Sequence, residues 1–186
     1  MKILTFGEIM LRLKTPEHLR IVQANGFEAS YGGAESNVAV SLSTLGDDAA
    51  FLTKLPDNPV GNAAFNELRR YGVDTSRILR GGPRLGIYYF EKGNDIRPTS
   101  VLYDRAGSAL AKASATEFDW EALLSGIDIF FFSGVTPAIS PSVEQAVSNA
   151  LNYCHTHGLT VLCDLNYPAK LSSREKAQSV KKELMQ

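Results

Sequence analysis

The sequence predicts an α/β fold interrupted by a β-ribbon, and three observations carry that reading. Strand-like and helix-like patterns alternate along most of the 186 residues. Two apolar runs, 128–133 and 159–165, show little in–out alternation, as expected of strands covered on both faces of a parallel sheet. Between 86 and 105 the rhythm breaks into two β-rich runs around Gly93-Asn94-Asp95, turn chemistry that suits a hairpin or a longer ribbon. A ribbon of that kind reads as a lid or an edge-to-edge dimer contact. A chain of this length is enough for a single domain with its own core.

Taken in order, a buried strand is expected over 2–6, ending at Gly7. Alternation then places Ile9, Leu11 and Leu13 on one side of a second strand and Met10 and Arg12 on the other. Residues 23–31 read as extended. A helix is predicted over 36–45, with Val38, Leu42 and Leu45 at helical spacing and Gly46 as its αL stop. A strand over 49–55 meets the turn residues Pro56-Asp57-Asn58-Pro59. A second helix covers 62–71, with Ala63, Leu68 and Tyr71 inward. After the ribbon come a short helix over 117–124, the strand 128–133, a helix over 141–157, the strand 159–165 and a final helix over 172–186. Ser172 or Ser173 would cap that last helix, with Glu175 as capping-box partner.

The formal net charge is −1 with no basic stripe, which argues against nucleic acid or an anionic membrane as partner. The longest apolar run, 127–135, contains Asp128, Ser133 and Gly134 and is too short to span a bilayer. Met1-Lys2-Ile3-Leu4 leads into a strand without a signal-peptide layout, so a cytoplasmic location is expected. Cys154 and Cys163 form no Cys-x-x-Cys pair and are expected as two buried thiols. His18, His155 and His157 have no metal-ligand spacing, and no metal site is expected.

Three clusters stand out as candidate chemistry. Gly32-Gly33 opens a helix that carries Asn37 in its first turn. This fits a backbone lying against a polar ligand near a helix N-terminus, and equally a tight turn feeding a helix. It is neither a dinucleotide fingerprint nor a P-loop. Tyr103 and Arg105 share one ribbon face with Val101, and Tyr88 on the opposing strand adds a hydroxyl. Together they make a grip for a carboxylate, or else a polar-decorated sheet face. Asp164-Leu165-Asn166 and Ser133-Gly134-Val135-Thr136 stand at strand ends, where open α/β sheets place their ligands and where turns also favour Asp and Asn.

In this order the clusters resemble the ribokinase-like (PfkB) carbohydrate kinase family. The resemblance rests on Gly-Glu-Ile-Met at 7–10, Gly-Gly-Ala-Glu-Ser-Asn at 32–37, Lys-Leu-Pro-Asp-Asn-Pro-Val-Gly at 54–61 and Leu-Arg-Arg-Tyr-Gly-Val-Asp-Thr at 68–75. Arg-Leu-Gly-Ile-Tyr at 84–88, Val-Leu-Tyr-Asp-Arg at 101–105, Ser-Gly-Val-Thr-Pro-Ala at 133–138 and Asp-Leu-Asn-Tyr at 164–167 look most like its 2-keto-3-deoxygluconate kinase branch. The resemblance implies a layered α/β/α core over 1–186 with lid segments at about 9–33 and 84–106. It also implies ATP with Mg, and transfer of the γ-phosphate to a primary hydroxyl of a small sugar acid. Gly33, Asn37, Tyr88, Tyr103, Arg105 and Val135 would hold that substrate, and Asn166 and Lys170 would lie on its phosphate or substrate side. In this resemblance Arg12 stands where neutral-sugar relatives often carry Asp, and a cation there suits an acidic substrate. Glu35 and Pro56 replace residues common in the wider family but fit this branch, whereas Pro168 stands where the branch usually has Arg.

The family's Gly-Ala-Gly-Asp loop, whose Asp is the catalytic base, does not occur in this sequence. The base is expected beyond Gln186, and the chain is expected to be the sugar-facing portion, inactive in phosphoryl transfer by itself. Homo-oligomerisation through the lid or an exposed sheet edge is expected. A fructokinase-like kinase and a non-catalytic sugar-acid binding module are the alternatives.

Overall fold

Residues 1–166 are described in the computed structural model; the helix expected over 172–186, Pro168 and Lys170 lie outside the described residues. The chain runs β1 (Lys2–Phe6), β2 (Met10–Lys14), β3 (Glu28–Gly32), α1 (Ala34–Leu45), β4 (Asp48–Leu52), β5 (Lys54–Leu55), α2 (Pro59–Arg70) and β6 (Leu79–Arg80). It continues through β7 (Ile87–Glu91), β8 (Ser100–Asp104), α3 (Trp120–Leu124), β9 (Ile129–Ser133), α4 (Pro141–His157) and β10 (Thr160–Asp164).

Two four-stranded sheets result. The first has the order β10-β9-β1-β4 and is parallel throughout. The second has the order β3-β2-β7-β8, with β2 and β7 parallel and the two outer pairs antiparallel. β5 and β6 form a separate parallel pair.

The first sheet is covered on both faces over β1 and β4, and the pleat shows it. Ala50 and Leu52 of β4 join Leu4, Phe6, Phe130 and Phe132 in one apolar cluster against Phe118, Trp120 and the Val143–Val147–Ala150 face of α4. Phe51, between them, points the other way, into a cluster with Ala39 of α1 and Ala64 and Leu68 of α2. Phe6 anchors the first cluster, meeting the Phe118 and Trp120 rings edge-on at centroid distances of 5.3 and 5.6 Å.

Local chemistry explains where the elements differ from the sequence reading. α2 begins earlier than expected because Asn58 is its cap, accepting from Gly61 N at 2.9 Å, and Pro59 occupies the first helical position. The turn-like string before it is therefore a helix start. The buried face of α1 is Glu35, Ser36 and Ala39, and Leu45, expected inward, is 81% exposed. Small and polar residues let this helix lie close on β1 and β4. Tyr71 also faces out. The expected strand over 49–55 divides at the buried Thr53, where the chain leaves the first sheet to form β5.

The short helix expected over 117–124 is a 3-10 turn at Ala115–Glu117 followed by α3, each with its own cap, Ser114 and Asp119. β10 is not buried. Among the described residues it is an edge of the first sheet, paired only with β9, and its residues are exposed. Cys163 on it is exposed and only Cys154 is buried, which corrects the expectation of two buried thiols.

Candidate functional site

Strand register assembles one face of the second sheet. Ser30, Arg12, Tyr88 and Tyr103 are cross-strand partners and form a row across all four strands. Arg12 Nε donates to Ser30 Oγ at 2.9 Å, and its guanidinium lies 5.7 Å from the Phe90 ring centroid. The Tyr88 and Tyr103 rings are 5.9 Å apart. Burial raises the Tyr88 phenol above its usual range, against the opposing pull of Arg12, so Tyr88 presents a neutral hydroxyl.

Where β3 turns into α1, the glycine pair has two separate jobs. A Cβ on Gly32 would lie 3.3 Å from Asn37 Oδ1 and 3.5 Å from Tyr88 Oη, so the two side chains converge on the same bare backbone. Gly33 has an ordinary extended φ of −173°, and what demands glycine there is space: a Cβ would sit 1.9 Å from the Glu8 carbonyl oxygen.

Arg105, read from the sequence as part of a carboxylate grip, follows β8 at the root of this sheet and is already paired. Its Nη2 is 2.5 Å from Glu8 Oε2, with the side chains 11% and 4% exposed. The Ser108 hydroxyl donates to the other Glu8 oxygen. Gly86 makes room for the carboxylate, since a Cβ there would lie 2.9 Å from Glu8 Oε1. Arg105 Nε is buried without a hydrogen-bond partner.

The strand ends of the first sheet form a second, rigid part. Glu35, 2% exposed, reaches under Gly7 from the first turn of α1. Its Oε1 accepts from Ser133 N at 3.2 Å, Ser133 Oγ at 2.5 Å and Thr136 Oγ1 at 2.7 Å. Thr136 Oγ1 also lies 3.1 Å from the Phe6 carbonyl, which ties the ends of β1 and β9 together. Val135 is half-buried on this loop, its N–H donating to Ser133 Oγ at 3.2 Å. Gly134 N donates to Asp164 O at 2.9 Å, and Asn166 N to Asp164 Oδ1 at 3.1 Å.

Asn37, Tyr88 and Tyr103 thus share the second sheet's face, Arg105 stands at its root, and Val135 and Asn166 stand on the strand-end rim. Two openings border three of them. Asn37 borders an opening of about 270 Å³ with Arg12, Ser30 and Ser36, while Tyr103 and Arg105 border a larger cleft of about 570 Å³. Sequence reasoning gave no role to Glu8, Glu35 or Ser108. The available signal was a carboxylate inside an apolar run at Gly7-Glu8-Ile9-Met10, because a buried charge needs a partner.

Among the described residues no cluster of His, Cys, Asp or Glu could hold a metal ion, and no helix is long and apolar enough to cross a membrane. Nor do they present a glycine-rich phosphate loop, so the described residues alone do not fit ATP with Mg.

Comparison with known proteins bears on the whole chain. A 2-dehydro-3-deoxygalactonokinase from Haloferax volcanii is 41% identical over 177 residues, which cover 95% of this chain and 55% of that protein. A 2-dehydro-3-deoxygluconokinase from Bacillus subtilis is 28% identical over 166 residues, 87% of this chain and 50% of that one. The crystal structure of a 2-dehydro-3-deoxygluconokinase from Thermotoga maritima superposes with a TM-score of 0.97 at 50% identity, covering 100% of this chain and 57% of that chain. The chain therefore spans about half the length of the relatives it matches. The pfkB family carbohydrate kinase profile matches residues 1–186, and the ribokinase-like α/β architecture accords with it: the chain belongs to the pfkB family of carbohydrate kinases.

Proposed function

We propose that this chain is the sugar-facing portion of a cytoplasmic kinase that transfers the ATP γ-phosphate, with Mg, to a primary hydroxyl of 2-keto-3-deoxygluconate. The observation that carries the reading is the face holding Asn37, Tyr88 and Tyr103 with Arg105 at its root, in a chain 50% identical to a 2-dehydro-3-deoxygluconokinase. The second sheet acts as the lid. Asn37 and the neutral Tyr88 hydroxyl take sugar hydroxyls, and Gly33 keeps the helix entry close beneath them. Tyr103 and Arg105 receive the acid end, and Val135 backs the substrate from the rim. Asn166 and Lys170 belong to the phosphate or substrate side.

The Haloferax relative's name brings in a second substrate, 2-keto-3-deoxygalactonate, the C4 epimer. Titration calorimetry of the chain with both sugar acids and with fructose tests the reading. Binding of either acid with no response to fructose is expected, and the tighter epimer names the substrate. Preference for fructose would overturn the reading in favour of a fructokinase-like protein. A second copy of the chain is the proposed macromolecular partner, meeting the lid or the β10 edge, where Leu102 and Leu162 are exposed. Sedimentation velocity should show a dimer or larger species.

A further inference from the structure

The 570 Å³ cleft beside β8 is walled by Tyr103, Arg105, Gly107 and Lys112 on one side and by Ile139 and Ser140 on the other. Two cations line it and, among the described residues, no carboxylate does. The two cations are not equivalent. Arg105 is held by the buried Glu8 carboxylate at 2.5 Å, so the pair brings hydrogen-bond donors to the cleft but little net charge. Lys112 enters no ion pair among the described residues. Its stem passes beside Gly107, with Cε 3.9 Å from where a Cβ on that glycine would lie, and its side chain lines the cleft.

We propose that Lys112 is a specificity-determining residue of this site, supplying the positive charge that favours a carboxylated sugar. Arg105, its charge already met by Glu8, orients the carboxylate through directional N–H donors. This division of labour rests on the reading that the chain takes a sugar acid. It deepens that reading by assigning charge selection to a residue outside the ribbon strands. An ammonium on a flexible stem attracts an anion as a point charge, whereas the planar guanidinium fixes its angle.

The test is calorimetry of the 186-residue chain with 2-keto-3-deoxygluconate and with its uncharged amide, for the unaltered protein, Lys112→Met and Lys112→Arg. Lys112 is exposed, so neither substitution disturbs the core. Lys112→Met should weaken the acid roughly fivefold, the size of an exposed ion pair, while leaving the amide unchanged. Lys112→Arg should restore the acid, and the difference between Met and Lys should shrink as salt rises. Equal affinity of Lys112→Met and the unaltered chain for the acid, or an equal loss for acid and amide, would overturn the assignment to Lys112. Failure of the unaltered chain to bind the acid, or its preference for the amide, would overturn the sugar-acid reading itself and the Lys112 assignment with it.

Discussion

Gly33 shows how much a single residue can decide here. Its backbone is unstrained, yet the Glu8 carbonyl occupies the volume that any β-carbon would need. Gly33→Ala should therefore force the α1 entry away from Glu8 and cost about 3 kcal/mol, within the range of overpacked cores, read as a fall in Tm. Glu8→Gln makes a different prediction. It keeps an acceptor for Ser108 but releases the charge of Arg105. Sugar-acid affinity should rise while thermal stability falls, and calorimetry paired with a melting curve separates the two effects. At the thiols, burial pushes Cys154 up to about 11, whereas Cys163 is exposed. A maleimide at pH 7 should modify only Cys163 in the native protein, detected by mass after digestion.

At the level of elements, Asp74 joins the start of β1 to the loop that follows α2. It accepts from Lys2 Nζ at 2.9 Å and from Arg77 Nη1 at 3.2 Å. Burial works to raise its carboxyl, but the Ser76 backbone N–H and Lys2 outweigh that and hold it at about 2, below its ordinary 3.8. A depressed folded-state value means stability that is present above about pH 4 and lost as pH falls from 3.8 toward 2. Asp74→Asn should lower Tm at neutral pH and flatten the acid limb of Tm against pH over that window. The strands of the first sheet and the α4 boundaries were legible because continuous apolar runs and the Ser140–Pro141 and Gly158 caps are local signals. The inward faces of α1 and α2 were not, since Leu45 and Tyr71 have core chemistry but lie where no neighbouring element reaches. Likewise β10 has the composition of a central strand, and sequence cannot say that it stands at an edge of the described sheet.

Across the whole molecule, the layered core and the second sheet were foreshadowed by the alternation of patterns and its interruption after residue 86. The row Ser30–Arg12–Tyr88–Tyr103 needed strand order and register, because it joins segments up to 91 residues apart in the chain, from Arg12 to Tyr103, and sets β2 parallel to β7. The Arg105 fork was recognisable as a cation and unrecognisable as a neutralised one, because its partner lies on another segment 97 positions earlier (105 − 8).

That partner has a consequence for motion. The backbone passes between the two sheets four times: after β1, after β3, before β7 and after β8. At each passage the residue involved is Glu8 or touches it: Glu8 itself, Gly33 against its carbonyl, Gly86 against its carboxylate, and Arg105 in its ion pair. All four threads therefore run through a single knuckle about the size of one side chain. A tilt of the second sheet about that pivot would keep the buried Glu8–Arg105 pair closed, whereas a slide over the first sheet would tear it open.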